Sequence, residues 1–313
     1  MKRAMIFGAR GQDGTLLTQH LASRDRLVVG LDRGTLDRSD GRPCRPVDML
    51  DAGAIADLVG ECGPDEVYYL AAFHHSSQSS ELLAPAAIWK QSFDVHVHGL
   101  LNVLEALRTR TPRARLFYAA SSLVFGHPEQ SPQTEELPLA PQCVYGITKT
   151  AGVHICRFYR EQHSLFASVG ILYNHESHLR PETFLSRKIV QAAAQIRQGR
   201  RRELVLGDLS AQTDWGYAPD YVDAFRRILE WERPEDFIVA SGRLHRVLDW
   251  VAGAFDALGL RWRDYVREDA SLITRTKPAL VGDNSKLRRL TGWQPATSFE
   301  QMVVNMVQME LGA

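Results

Sequence analysis

Short apolar runs that alternate with amphipathic stretches, and a glycine triplet directly after the first run, predict an α/β fold. The expected architecture is a Rossmann-type doubly wound parallel sheet with a smaller mixed α/β lobe. The length allows it: 313 residues, 44% hydrophobic and 24% charged, can bury a large core and form two lobes.

Each element follows in order. Residues 4–7 read as the first strand and run into "FGARGQDGTLL". Gly8, Gly11 and Gly14 there form G-x-x-G-x-x-G between strand and helix. Glycines permit a tight turn and close backbone approach, and the helix start offers free N–H groups to a pyrophosphate. Gln12 and Asp13, between the glycines, are counted with the cofactor contacts. Helical patterns follow at 15–23, 52–59, 86–108 and 144–160, with strands at 27–31, 66–70, 115–119 and 167–172.

The strand ends are where such a sheet binds ligands. The second ends in Asp32-Arg33. A carboxylate there accepts from ribose hydroxyls and repels a 2′-phosphate, which favours NAD over NADP; Arg33 keeps NADP open. Asp48-Met49 lies where a loop could reach adenine, with a helix N-cap before Ala52 as the other reading of Asp48. Leu70, Ala71 and Ala72 close another strand with small side chains, and His74 and His75 follow in "FHHSSQ". The strand at 115–119 ends in "YAASSLVFG", and nineteen residues past its glycine comes Tyr145-Gly-Ile-Thr-Lys149. Tyr and Lys four apart share a helix face. An ammonium beside a phenol is expected to draw its pKa down from about 10, so that it can take a hydroxyl proton.

Beyond about residue 174 the pattern loosens. Helices are expected at 182–199, 220–232, 246–258 and 299–311, a short apolar segment at 203–206, and one more strand of the main sheet at 237–240. The reading assigns 1–173 and about 215–245 to the nucleotide domain, and 174–214 and about 246–313 to the smaller lobe. Lys+Arg and Asp+Glu both number 37, a zero net charge that argues against nucleic-acid and membrane-surface roles. Four cysteines without CxxC spacing, and an N-terminus that leads straight into a strand, point to a cytoplasmic protein with free thiols and no bound metal. No run reaches the ~18 apolar residues of a spanning helix.

The chain resembles the extended short-chain dehydrogenase/reductases that act on nucleotide sugars, and most of all the GDP-mannose 4,6-dehydratases. The resemblance rests on "GARGQDGTLL", "YYLAA", "YGITKTAG", "ILYNHES", "FLSRKI", "GDLSAQTDWGYAPDYVDA" and "GDNSKLRRLTGWQP", spread over nearly the whole chain. It implies Tyr145 as general base, Lys149 as its activator and a ribose contact, and Ser121 as the residue that binds the reacting hydroxyl. It further implies cofactor contacts from His175 and Arg180, and nucleotide-sugar contacts from Asn174, Arg187, Lys188 and the 207–215 loop, including Gly207. Ser122 becomes a structural or substrate-shaping neighbour. The long helices 86–108 and 144–160 imply at least a homodimer.

Four departures matter. Leu123 stands where the dehydratases carry the glutamate that removes the C5 proton. Without it elimination should slow by about 10²–10⁴-fold. The segment from Asp32 to Asp48 is short, which puts the family's tetramer in doubt. Thr213 replaces an arginine near the phosphates, leaving Arg187 or Arg275 to meet the pyrophosphate. His74 or His75 could face the sugar as a second acid–base. Cys143, two residues before Tyr145, reads as packing rather than nucleophile. An NAD-dependent C4 epimerase of a GDP-mannose-type hexose or heptose therefore leads. A net C4 dehydrogenase or 4-keto reductase, and a dehydratase with a histidine base, follow. A silent NAD-binding regulator is disfavoured by the intact Ser/Tyr/Lys set.

Overall fold

The computed structural model describes residues 1–32, 46–74, 83–273 and 278–312, and the backbone of two short paired strands, Leu36–Asp37 and Pro43–Cys44. Arg33, His75 and Arg275 lie outside the described residues.

Six parallel strands form the central sheet in the spatial order Asp236–Val239, Phe166–Leu172, Arg115–Ala119, Glu66–Tyr69, Arg3–Phe7, Leu27–Leu31. The chain's second strand lies on one side of the first and all later strands of this sheet lie on the other. The order thus reverses between Arg3–Phe7 and Glu66–Tyr69, and the crevice beyond their C-terminal ends is the ligand position of such sheets. Both faces are covered. Helices Ala52–Cys62, Gly99–Arg110 and Val144–His163 bury Ile55, Val59, Leu100, Val103, Val153 and Cys156 on one face. Helices Gln12–Ala22 and Ala218–Glu230 bury Leu17, Leu21, Tyr221 and Phe225 on the other. Two-sided burial is why these strands read as unbroken apolar runs.

A third apolar cluster joins helices Leu185–Arg197, Val247–Asp256 and Phe299–Leu311 with strand Leu204–Leu206 and Trp215. Beside it runs a small mixed sheet in the order Leu244–Arg246, Gln212–Tyr217, Asn174–Glu176. Asp214 fastens this sheet to the body. Its buried carboxylate accepts the Ser241, Gly242 and Gly282 N–H groups at 2.9, 3.0 and 3.2 Å and the Ser241 hydroxyl at 2.6 Å. Burial nevertheless holds that carboxyl up at about 6. Asp214 of the 207–215 loop is thus a structural anchor.

Asp51, not Asp48, caps helix Ala52–Cys62 by accepting the Ala54 N–H at 2.9 Å. Asp48 makes an Asx turn just before it, accepting the Leu50 N–H at 2.9 Å. Among the described residues no helix is long and apolar enough to cross a membrane.

Candidate active site

The first strand hands over to helix Gln12–Ala22 through a turn only glycine can make. Gly8 has φ +86°, and a Cβ on it would lie 2.7 Å from the Ala71 nitrogen, so its backbone abuts the end of strand Glu66–Tyr69 across the switch point. A Cβ on Gly14 would meet the Gly8 carbonyl oxygen at 2.3 Å. The helix starts at Gly11 with no side-chain cap, which leaves its first N–H groups for a ligand. At the second strand's end Asp32 accepts the Arg10 N–H at 3.2 Å, which orients the turn. These features fit a dinucleotide: a backbone cradle that a Cβ would fill, a bare helix N-terminus and a carboxylate at the second strand's end. Gly14→Ala should destabilise the protein by about 1–3 kcal/mol, because the clash is with backbone and one element must move. An unchanged denaturation midpoint would contradict that packing.

Gln12 and Asp13 face the second lobe rather than open space. The Gln12 amide donates to the His175 carbonyl at 3.1 Å and accepts the Ser177 hydroxyl at 2.8 Å. Asp13 meets His175 Nε2 at 2.9 Å, while His175 Nδ1 lies 2.7 Å from the Tyr173 carbonyl and the ring stacks on Tyr221 at 4.6 Å. Burial would raise the Asp13 carboxyl, but His175, by charge and hydrogen bond, and Arg180 bring it down to about 2.

Tyr145 opens helix Val144–His163, and Lys149 lies one turn on. Lys149 is fully buried; its Nζ donates to the Ala119 carbonyl at 2.8 Å and lies 5.7 Å from the Tyr145 ring centroid. Here the sequence expectation fails. Burial pushes the Tyr145 phenol up to about 12, only partly opposed by Arg180, and pulls the Lys149 ammonium down to about 7. In this protein desolvation dominates the balance at both groups. Cys143 is the cap of this helix, its Sγ accepting the Gly146 N–H at 3.4 Å.

"YAASSLVFG" ends its strand at Ala119 and turns through a short 3₁₀ helix, Ser122–Phe125. The Ser121 hydroxyl accepts the Leu123 N–H at 3.3 Å. A Cβ on Gly146 would meet the Leu123 carbonyl at 2.6 Å, so the serine turn presses on the helix that carries Tyr145. Ser122 is buried, and Leu123 packs against the apolar cluster on that side of the sheet.

Two imidazoles meet the Tyr145 ring edge-on, His74 at 5.4 Å and His96 at 5.1 Å between centroids. His74 also packs against Phe184 at 5.4 Å, and Arg180 lies over that ring at 4.3 Å while donating to Glu176 at 3.3 Å. His96 was not legible as a site residue, since "FDVHVHG" reads as an ordinary helix stretch. Met49 packs against the core and its carbonyl accepts the Asn102 amide at 2.9 Å. Leu70, Ala71 and Ala72 follow the C-terminal end of strand Glu66–Tyr69.

The remaining predicted sugar contacts spread over the second lobe. Asn174 is exposed at the start of its strand. Arg187 and Lys188 share helix Leu185–Arg197, and Arg187 is ion-paired with Glu310 of the last helix. Gly207 lies against Ile273, and Thr213 is registered opposite His245, whose ring stacks on Phe299 at 3.9 Å.

A family model described as GDP-mannose 4,6 dehydratase matches residues 5–306. GDP-mannose 4,6 dehydratase 2 of Arabidopsis thaliana is 36% identical over 334 residues, covering 99% of this chain and 87% of the relative. GDP-mannose 4,6-dehydratase of Sinorhizobium fredii (strain HH103) is 32% identical over 345 residues, covering 99% and 97%. Among solved structures, dTDP-glucose 4,6-dehydratase from Bacillus anthracis str. Ames in complex with NAD has a TM-score of 0.82 at 18% identity, covering 98% and 96%. UDP-glucose 4-epimerase from Thermus thermophilus in complex with NAD has 0.80 at 22%, covering 99% of both chains. The solved structures share the fold, and the sequence relatives match over 99% of this chain. On that basis the chain belongs to the GDP-mannose 4,6-dehydratase family of extended short-chain dehydrogenase/reductase enzymes.

Proposed function

We propose that this protein is an NAD-dependent nucleotide-sugar enzyme that oxidises C4 of a GDP-mannose-type hexose or heptose, and that it works as a C4 epimerase. The observation that carries the reading is Leu123. It packs into the core at the position where the relatives' elimination base is expected, beside an intact Ser121, Tyr145 and Lys149. Gly8, Gly11, Gly14, Asp32 and Lys149 would hold NAD, which when bound supplies the acceptor for the C4 hydride. Ser121 holds the C4 hydroxyl by hydrogen bond. Tyr145, deprotonated once cofactor and sugar are bound, takes the hydroxyl proton as the carbonyl forms and returns it when the ketone is reduced. The exposed Phe158 and Trp89 on the two helical stretches support a dimer that covers them.

A second reading keeps water elimination with His74 as the base, favoured by its place against the Tyr145 ring. One experiment separates the two. Purified protein is incubated with GDP-mannose and with GDP-manno-heptose in D₂O, with absorbance at 340 nm and product NMR followed. Inversion at C4 without solvent deuterium supports the epimerase. Deuterium at C5 with loss of water sinks it in favour of the histidine base, and accumulating NADH marks a net dehydrogenase.

A further inference from the structure

Two facts about the helical stretch from Pro85 to Arg110 are unexplained by the reaction above. It is not α-helical throughout: Asp94–His98 is a π-helical turn. And it buries a histidine completely.

The turn is held open by specific groups. The Gly99 N–H reaches back five residues to the Asp94 carbonyl, instead of four to Val95. The Val95 carbonyl instead accepts the Tyr69 phenol at 2.5 Å. Position 99 has to be glycine, since a Cβ there would lie 2.6 Å from that phenol oxygen. The extra residue in the turn rotates the rest of the helix by about 100° and sets His96 inward.

Inside, His96 makes two bonds of opposite kind. Its Nε2 accepts the Phe73 N–H at 2.9 Å. Its Nδ1 lies 2.8 Å from the Thr148 hydroxyl, whose own hydrogen goes back to the Val144 or Tyr145 carbonyl at 3.0 or 3.2 Å. Nδ1 must therefore carry the hydrogen and Nε2 the lone pair, a single neutral tautomer. Burial, with the charges of Lys149 and His74, holds the ring neutral by drawing its pKa down to about 2.

We propose that His96 is a positioning residue that fixes the Tyr145 phenol relative to Phe73 and His74. One bond clamps the loop next to His74, the other clamps the helix turn of Tyr145, and the ring edge packs on the phenol between them. The proposal rests on Tyr145 being the base, but its structural half does not.

The test compares His96→Phe, which keeps the ring and loses both bonds, with His96→Gln, which restores an acceptor near the Nε2 position. Tyr145 is followed by ¹³C NMR in protein labelled at tyrosine Cζ, its signal assigned with Tyr145→Phe, and NAD affinity is measured by titration. Turnover is measured on whichever GDP-sugar is converted. A misplacement near 1 Å can remove up to ~10²-fold in rate. We expect His96→Phe to shift or broaden the Tyr145 signal and to lower kcat about 10- to 100-fold, with KM and NAD affinity within about threefold. His96→Gln should recover most of both. An unmoved Tyr145 signal with unchanged kcat in His96→Phe overturns the proposal. So does a His96→Gln variant as impaired as His96→Phe, because then the bonds are not the cause. If the signal moves but Tyr145→Phe proves fully active, the assignment of the base fails and the positioning role stands.

Discussion

Tyr145→Phe is expected to lower turnover by about 10³-fold while leaving NAD binding within about threefold. The substitution removes one oxygen from a ring already held by His74, His96 and the helix start, so the ring should stay where it is. What disappears is the atom assigned to accept the C4 hydroxyl proton. In the ligand-free protein that oxygen keeps its own proton, since burial holds the phenol up at about 12. Stopped-flow detection of the 4-keto sugar checks the first half and NAD titration the second. Full activity in the variant would refute the assigned base.

Lys149→Met should abolish turnover and at the same time stabilise the ligand-free protein. The ammonium is buried under the sheet edge, and burial lowers its pKa from an ordinary 10.5 to about 7. The sign follows from proton counting. Between those two values the unfolded chain holds a proton that the folded chain has released, so wild-type stability falls as pH drops through that range. Below pH 7 folding must bury the charge, at a cost of about 2–5 kcal/mol less whatever the Ala119 bond returns. The variant's advantage should therefore be largest at pH 6 and fade as pH approaches 10. Urea unfolding of both proteins across that range reads it, and a wild type as stable as the variant at pH 6 would remove the argument.

Much of the fold was legible because parallel strands buried on both faces leave an apolar run with little ambiguity. Leu27–Leu31 and Arg115–Ala119 lie where the pattern put them, as does the last helix, Phe299–Leu311. The first helix begins three residues earlier than its apolar periodicity, since Gly11 starts it without a capping side chain. Helix Ser285–Thr291 was missed because seven residues carry too little periodicity. The strands of the small sheet were missed for the same reason, two of them being three residues long. In the site, the glycine turn and the Tyr/Lys spacing are local signals and could be read directly. His96 could not, because its burial depends on Tyr69 and Gly99, which widen a helix turn from outside it. The pKa balance at Tyr145 was likewise hidden, since desolvation is a property of the packed site and not of a four-residue spacing.

The clasp between Asp13 and His175 has an electrostatic consequence. A carboxylate in the first helical turn suits the helix dipole but is the wrong sign for a diphosphate at the same N–H groups. Both ring nitrogens of His175 face acceptors, a carbonyl and that carboxylate. The second lobe thereby supplies the counter-ion for the nucleotide turn of the first. An anionic cofactor arriving there meets a carboxylate already partnered by His175 and Arg180 rather than a bare negative charge, and the helix keeps its positive end free to receive it.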